Sequence, residues 1–82
     1  MKKRELQEIL TEKKVPVTSY SLDGKLHPDR FELRLCNNEW LVYYCDERGG
    51  KHDLKAFDNE EEACNYFYDY MSNNSYMSKF FQ

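Results

Sequence analysis

The sequence lacks a long apolar run, and this absence bears on where the protein acts. No stretch approaches the roughly 20 consecutive apolar residues that a membrane-spanning helix needs. The first ten residues, MKKRELQEIL, are basic but have no apolar run behind them, so they do not fit a secretory signal. The sequence therefore predicts a cytoplasmic protein that does not enter the membrane.

Cysteine and histidine are scarce, and their spacing fits no standard metal or disulfide pattern. The three cysteines, Cys36, Cys45 and Cys64, form no C-x-x-C pair, and an odd count without a secretion signal indicates reduced thiols. Cys45 and His52 flank one predicted turn, but no third ligand or orienting group has a recognisable spacing. We expect no metal, no cofactor and no catalytic cysteine.

Glycine and positive charge are also in short supply. The three glycines form neither a phosphate-binding loop nor a nucleophile elbow, so no common enzyme motif is present. The chain has 15 acidic against 12 basic residues, a formal net charge of −3, which argues against general nucleic-acid binding. This balance permits a basic protein partner. We therefore expect a protein that is not an enzyme.

The 82 residues suffice for one domain spanning 1–82, and its helices can be read from the apolar spacing. A helix is predicted over 2–14, ending before the Val15-Pro16 bond, because the residue before proline disfavours helical geometry. A second helix is predicted over 59–72, with Asp58 as its N-cap. The residues of this second helix expected to face a sheet are Ala63, Cys64, Phe67, Tyr70 and Met71.

Three strands are predicted over 31–36, 39–46 and 52–57. Asn37-Asn38 suits a two-residue type I′ hairpin, because asparagine tolerates positive φ. This register places Leu35 opposite Trp40, Leu33 opposite Val42 and Phe31 opposite Tyr44. All six fall on one side of the sheet, which we call the first face.

The second hairpin is predicted to have a loop of odd length around Arg48-Gly49-Gly50. A loop of only Gly49-Gly50 would bring Lys55 to the buried first face. An odd loop instead places Leu54 opposite Tyr44 and Ala56 opposite Val42.

Two further segments carry apolar residues outside these elements. In the connector over 15–30 we expect Val17, Tyr20, Leu22 and Leu26 to hold the segment against the body. In the tail over 73–82, Tyr76, Met77, Phe80 and Phe81 have the spacing of one helical face.

The predicted fold class is α+β, with the order α-β-β-β-α. The strands form a three-stranded antiparallel meander, and both helices pack on the first face. One helix on each face is the alternative. Double-stranded-RNA-binding domains share this order, but they place lysines where this chain has Glu60, Glu61 and Glu62, so RNA binding is not expected.

The opposite side of the sheet, the second face, is unusually apolar along its central strand. The predicted register assigns to it Glu32, Arg34, Leu41, Tyr43, Cys45, Asp53, Lys55 and Phe57. Three explanations are open: a solvated face, cover by Phe80 and Phe81 of the tail, or a surface for a partner or a second copy.

Residues 39–71 resemble a family of small bacterial proteins with a W-x-V-Y-Y-x-x-x-R-G hairpin followed by an L-K-x-F run and an E-x-E-A-C-x-Y-F run. The matching residues are Trp40, Val42, Tyr43, Tyr44, Arg48, Gly49, Leu54, Lys55, Phe57, Glu60, Glu62, Ala63, Cys64, Tyr66 and Phe67. Asp23-Gly24 also resembles the family's glycine-rich turn, with Lys25 where a second glycine is expected. These proteins look like immunity proteins encoded beside polymorphic or contact-dependent toxins.

The resemblance implies a protein that neutralises a cognate toxin by direct contact. Such binding needs a few aromatic anchors surrounded by charge rather than catalytic groups. Asp46, Glu47 and Asp53 predict a local acidic patch. The contact residues that we expect are Leu41, Tyr43, Asp46, Glu47, Arg48, Lys55 and Glu60. The alternative is a structural module that forms a homodimer through the second face.

Overall fold

The described residues, 1–24 and 27–82 of a computed structural model, form two helices and one four-stranded sheet. The elements are helices α1 (Lys3–Glu12) and α2 (Glu60–Ser72), and strands β1 (Tyr20–Ser21), β2 (Arg30–Cys36), β3 (Glu39–Cys45) and β4 (Lys51–Phe57). Short 3-10 turns lie at Val17–Ser19 and Ser78–Phe81.

The strands lie in the order β1-β2-β3-β4. β2, β3 and β4 form the predicted antiparallel meander, whereas β1 pairs with β2 in parallel. The α+β class and the predicted order are therefore confirmed, with β1 as an addition. A strand of only two residues has no alternating pattern, so nothing in the sequence marked it.

The β2–β3 hairpin has the predicted register. Leu35 lies opposite Trp40 and Leu33 opposite Val42. Asn37 and Asn38 have φ of 51° and 68°, which is the type I′ geometry that asparagine permits.

The register between β3 and β4 differs from the prediction. Cys45 lies opposite Lys51, which leaves a loop of odd length, as expected. A bulge at Asp53, with φ 57°, then shifts the ladder by one residue, so that Val42 lies opposite Lys55. The bulge undoes the effect of the odd loop because it inserts one unpaired residue into β4.

The bulge exchanges the two sets of β4 side chains between the faces. Phe57 lies opposite Trp40 on the first face, where its ring centroid is 5.3 Å from that of Tyr66 in α2. Leu54 is 52% exposed, and Ala56 is also exposed. The prediction that Leu54 and Ala56 face the core, with Lys55 and Phe57 on the second face, is therefore wrong.

α1 ends one turn earlier than Pro16, through a backbone cap. Lys14 has φ 61° and donates its N–H to the carbonyl of Thr11, and Val15 donates to that of Leu10. This pair of hydrogen bonds is the Schellman arrangement, with buried Val15 and Leu10 as its apolar contact. The cap, rather than the following proline, sets the end of the helix.

α2 begins at an N-cap one residue later than predicted. The Asn59 side chain accepts a hydrogen bond from the backbone N–H of Glu62 at 2.8 Å. Asp58 is therefore not the cap. Asparagine and aspartate are equally good caps, so the sequence does not distinguish two such neighbours.

The core lies on the first face, and both helices contribute to it. Its buried residues are Leu6, Leu10, Val15, Tyr20, Leu22, Phe31, Leu33, Val42, Ala63, Cys64, Phe67 and Met71. Met77, Phe80 and Phe81 pack against this same cluster, and Phe81 meets Tyr68 of α2 edge-on at 5.1 Å. The tail therefore does not cover the second face.

Of the three described residues expected to hold the connector against the body, two are buried. Tyr20 and Leu22 are buried in the core, whereas Val17 is 69% exposed. Leu26, together with Lys25 of the predicted glycine-rich turn, lies outside the described residues.

The second face is covered in part by the chain itself. Glu32, Tyr43 and Cys45 are buried there, yet none belongs to the core cluster that the helices share. The backbone N–H of His27 donates to Glu32 Oε2 at 3.2 Å, which places His27 on this side of the sheet. None of the three explanations drawn from the sequence included this contact from His27.

Candidate functional site

The turn between β3 and β4 is organised by the Asp46 carboxylate. Its Oδ1 accepts hydrogen bonds from the backbone N–H groups of Arg48 and Gly50, at 3.0 and 2.7 Å. Its Oδ2 lies 2.7 Å from His52 Nε2. The His52 contact and these backbone bonds hold the pKa of Asp46 below its usual range. Asp46 therefore shapes the turn, and its carboxylate oxygens are already engaged.

Glu47 and Arg48 lie exposed at the tip of this turn. Gly49, with φ 83°, closes it by donating its N–H to the carbonyl of Asp46. The two charged side chains therefore project from a turn whose backbone is fixed by four hydrogen bonds through Asp46. Fixed loops lose little conformational entropy when they bind, which favours a role as contacts.

Beside this turn a groove of about 390 Å³ opens at one end of the first face. Its aromatic and charged lining consists of Asp29, Phe31, Tyr44, His52, Asp53, Tyr70 and Tyr76. We call this set the acidic aromatic groove. It joins the turn through His52, which contacts Asp46 from within the lining.

Three rings from three different elements pack together in the groove. Phe31 of β2 meets Tyr44 of β3 edge-on, with centroids 5.1 Å apart, and Tyr70 of α2 edge-on at 5.3 Å. Such edge-to-face pairs are favourable beyond the area they bury. The packed rings give the groove a rigid apolar base, with Tyr76 at 79% exposed beside it.

Each tyrosine hydroxyl in this base donates to a carboxylate. Tyr70 donates to Asp53 Oδ2 at 3.1 Å, and Tyr44 donates to Asp29 Oδ1 at 3.4 Å. Burial and then the neighbouring carboxylate raise the pKa of each tyrosine, so both stay protonated donors at neutral pH. Asp29 and Asp53 both have left-handed φ, of 58° and 57°, a region that aspartate enters more readily than most residues.

The residues predicted as contacts do not all come together. Asp46, Glu47 and Arg48 lie in the turn next to the groove. Lys55 lies on the first face with its Nζ 5.1 Å from the ring centroid of Tyr66. Glu60 accepts a hydrogen bond from the backbone N–H of Lys3, which attaches α1 to the start of α2.

Leu41 and Tyr43 lie on the second face, away from the groove. Tyr43 is fully buried, so a partner cannot touch it in this conformation. Burial raises the pKa of its hydroxyl, while the nearby Arg34 guanidinium acts in the opposite direction. Leu41 is half-buried. Together with exposed Leu54 and Ala56, it forms an apolar strip along the β3–β4 part of this face.

The Cys45 thiol and the His52 imidazole lie on opposite faces of the sheet. Burial raises the pKa of the Cys45 thiol, and it raises that of Cys64 to about 11, so little thiolate forms at neutral pH. His52 is engaged with Asp46. Among residues 1–24 and 27–82, no group of three or more His, Cys, Asp and Glu side chains is placed to hold a metal ion. No helix within the described part of the chain is long and apolar enough to cross a membrane.

Sequence reasoning found the turn but missed the groove. Asp53 was expected in an acidic patch, whereas Asp29, Tyr70 and Tyr76 were not linked to it. These residues lie up to 47 positions apart (29 to 76) and meet only because β2, β3 and α2 pack together. No local spacing could have revealed them.

Comparison with known proteins adds no assignment: no family model, no curated protein and no solved structure matches the chain.

Proposed function

We propose that this protein is a non-catalytic binding protein of the immunity type, which neutralises a bacterial toxin by direct contact. The single observation that carries the proposal is the fixed turn over 46–50 beside the acidic aromatic groove. This surface combines exposed charge with aromatic rings held by the sheet and α2. The sequence resemblance over residues 39–71 supports the same function.

The proposed contact surface differs from the one expected from sequence. Glu47 and Arg48 at the turn are retained, and Asp53 and Tyr76 of the groove are added. Lys55 lies along the same exposed strand and extends the surface. Asp46 and Glu60 act by positioning neighbouring backbone rather than by meeting a partner.

Such a surface can inhibit without chemistry of its own. Aromatic anchors in a pocket supply much of the affinity of a protein interface, and surrounding charges set the encounter rate and specificity. A net charge of −3 permits a basic partner.

The test is a binding and inhibition assay against the product of the neighbouring gene. The two purified proteins are mixed, the association rate is measured by stopped-flow fluorescence and the affinity by calorimetry. The toxin's activity is followed with increasing amounts of this chain. Glu47→Lys is expected to slow association by up to about tenfold, because rim charges act mainly on the association rate. Glu39→Lys, an exposed residue at the opposite hairpin, is the matched control. A neighbour that is not a toxin and does not bind would remove the proposal.

A homodimer is the second candidate, and the edge strand β4 favours it. β4 pairs only with β3 in the described sheet, so its outer edge carries unpaired backbone groups. The apolar strip of Leu41, Leu54 and Ala56 lies beside that edge. Sedimentation at micromolar concentration should then show a dimer that Leu54→Glu breaks, whereas Leu35→Glu, at a first-face position that is 57% exposed, leaves it intact. A monomer throughout would exclude this candidate.

A further inference from the structure

The acidic aromatic groove has a chemical character that selects for cations. Among the described residues that line it there are two carboxylates, Asp29 and Asp53, and no lysine or arginine. The imidazole of His52 lies against the Asp46 carboxylate and makes no hydrogen bond with Asp29 or Asp53. An anionic ligand would meet uncompensated negative charge. A neutral apolar ligand would bury two charged carboxylates that each have a single tyrosine donor and no cation beside them, which is costly.

The carboxylates are positioned in advance and keep capacity to accept hydrogen bonds. Asp29 accepts a hydrogen bond from the Tyr44 hydroxyl, and Asp53 accepts one from the Tyr70 hydroxyl. These two tyrosine rings flank Phe31. Within the described residues, each carboxylate uses one oxygen in this way, so the other can accept an N–H donor. The two acceptors thus lie on either side of one aromatic base.

This arrangement matches a guanidinium better than other cations. A guanidinium is planar, stacks on aromatic rings and presents five N–H donors that can reach two carboxylates. An ammonium offers a compact charge and no plane to stack. The volume of about 390 Å³ accommodates one long side chain with its aliphatic stem.

We propose that the acidic aromatic groove receives an arginine side chain of the toxin that this protein binds, an inference that rests on the proposed function. The arginine stem lies against the Tyr44, Tyr70 and Tyr76 rings, and its guanidinium donates to Asp29 and Asp53. The groove is therefore the place where a basic partner is anchored, while the neighbouring turn supplies the rim of the interface.

The groove can be tested without the toxin. N-acetyl-arginine methylamide is titrated into the isotope-labelled protein, and the shifts of groove resonances are followed by NMR. The citrulline analogue, which has the same shape without the charge, is the ligand control, and N-acetyl-lysine methylamide tests the preference for a planar cation. Arginine is expected to shift Tyr44, Tyr70 and His52 in preference to both.

The protein variants remove charge while they keep shape. Asp29→Asn with Asp53→Asn is expected to weaken arginine binding roughly 2- to 30-fold, the sum of two partly exposed ion pairs. Asparagine tolerates the left-handed φ at both positions. Glu39→Gln with Glu62→Gln changes the net charge equally at exposed sites away from the groove and should leave binding unchanged. If the double variant does not fold, Tyr76→Ala replaces it as the test. Tyr76 is 79% exposed, so its truncation should leave the fold intact and weaken arginine binding.

The outcomes separate the groove from the proposed function. The groove proposal would be overturned, whether or not a toxin binds, if arginine causes no NMR shifts in the groove or if citrulline causes equal shifts. It would also be overturned if the shifts are unchanged in the Asp29/Asp53 and Tyr76 variants. A toxin that binds the Asp29/Asp53 double variant as tightly as the native chain would also overturn it while leaving the immunity function intact. A neighbour that does not bind, with arginine still held in the groove, would instead count against the immunity function.

Discussion

Replacing Leu54 by alanine tests the register of the edge strand directly. The apolar pattern placed Leu54 in the core opposite Tyr44, whereas the Asp53 bulge leaves it 52% exposed on the second face. Leu33, on the first face of β2, is 1% exposed and serves as the matched control, since the chemical change is the same. The two registers predict very different costs for Leu54→Ala.

The expected costs follow from burial. Complete burial of a leucine is worth about 1.5–3 kcal/mol. Leu54 has lost about half of its accessible surface, so its truncation should lower the free energy of unfolding by about 0.7–1.5 kcal/mol. Because this site is open to solvent on one side, the truncation leaves no closed cavity. Leu33→Ala also creates a cavity, and its expected cost is about 3–5 kcal/mol.

Urea unfolding followed by circular dichroism measures both variants under one condition. A domain of this size is stable by only about 3–5 kcal/mol, so Leu33→Ala is expected to lose most or all of its cooperative transition. Leu54→Ala should keep a clear transition with a modestly lower midpoint and an unchanged slope. A Leu54→Ala variant as unstable as Leu33→Ala would refute the bulged register and with it the position of Asp53 in the groove.

Three further predictions concern single positions. Burial raises the pKa of Glu32 above its ordinary 4.5, so the native state binds the proton more tightly. The free energy of unfolding should then fall as pH rises from about 4.5 through the native-state pKa of Glu32. The total fall is about 1.4 kcal/mol for each unit by which the native pKa exceeds the unfolded pKa. Glu32→Gln should flatten this dependence in urea titrations between pH 4.5 and 8. Lys14→Gly should raise stability by about 0.5–1 kcal/mol, because glycine accepts the left-handed C-cap without strain; a lower thermal midpoint would contradict this. Asn59→Ala should cost about 1 kcal/mol through loss of the α2 cap, and an equal loss in Asp58→Ala would show that the cap is misplaced.

Elements held by neighbouring residues were predictable. The Asn37-Asn38 hairpin follows from the φ that asparagine tolerates, and its register then follows by counting along both strands. The buried face of α2 follows from 3.6-residue spacing, since Ala63, Cys64, Phe67 and Met71 are all buried. In both cases the local backbone geometry at a few residues determines which way the adjacent side chains point.

Choices between locally equivalent arrangements were not predictable. Asn59 and Asp58 are both good caps, so only the path of the chain from β4 into α2 selects between them. Two irregularities, an odd loop and a bulge, decide which side chains of β4 lie on which face of the sheet. Only the odd loop was predicted. One unpaired residue moves every following side chain to the other face.

The sequence by itself determined the α+β class, the first hairpin, the two amphipathic helices and the placement of Glu47 and Arg48 in an exposed turn, because each depends on residues close together in the chain. The tertiary structure alone decided that Tyr43 and Glu32 are buried on the second face, where His27 donates a backbone hydrogen bond to Glu32 and the Nζ of Lys51 lies 5.6 Å from the centroid of the Tyr43 ring. It also decided the groove, since Asp29, Asp53 and Tyr70 belong to separate segments that meet only through packing. Side chains brought together by packing leave no periodic signal along the chain.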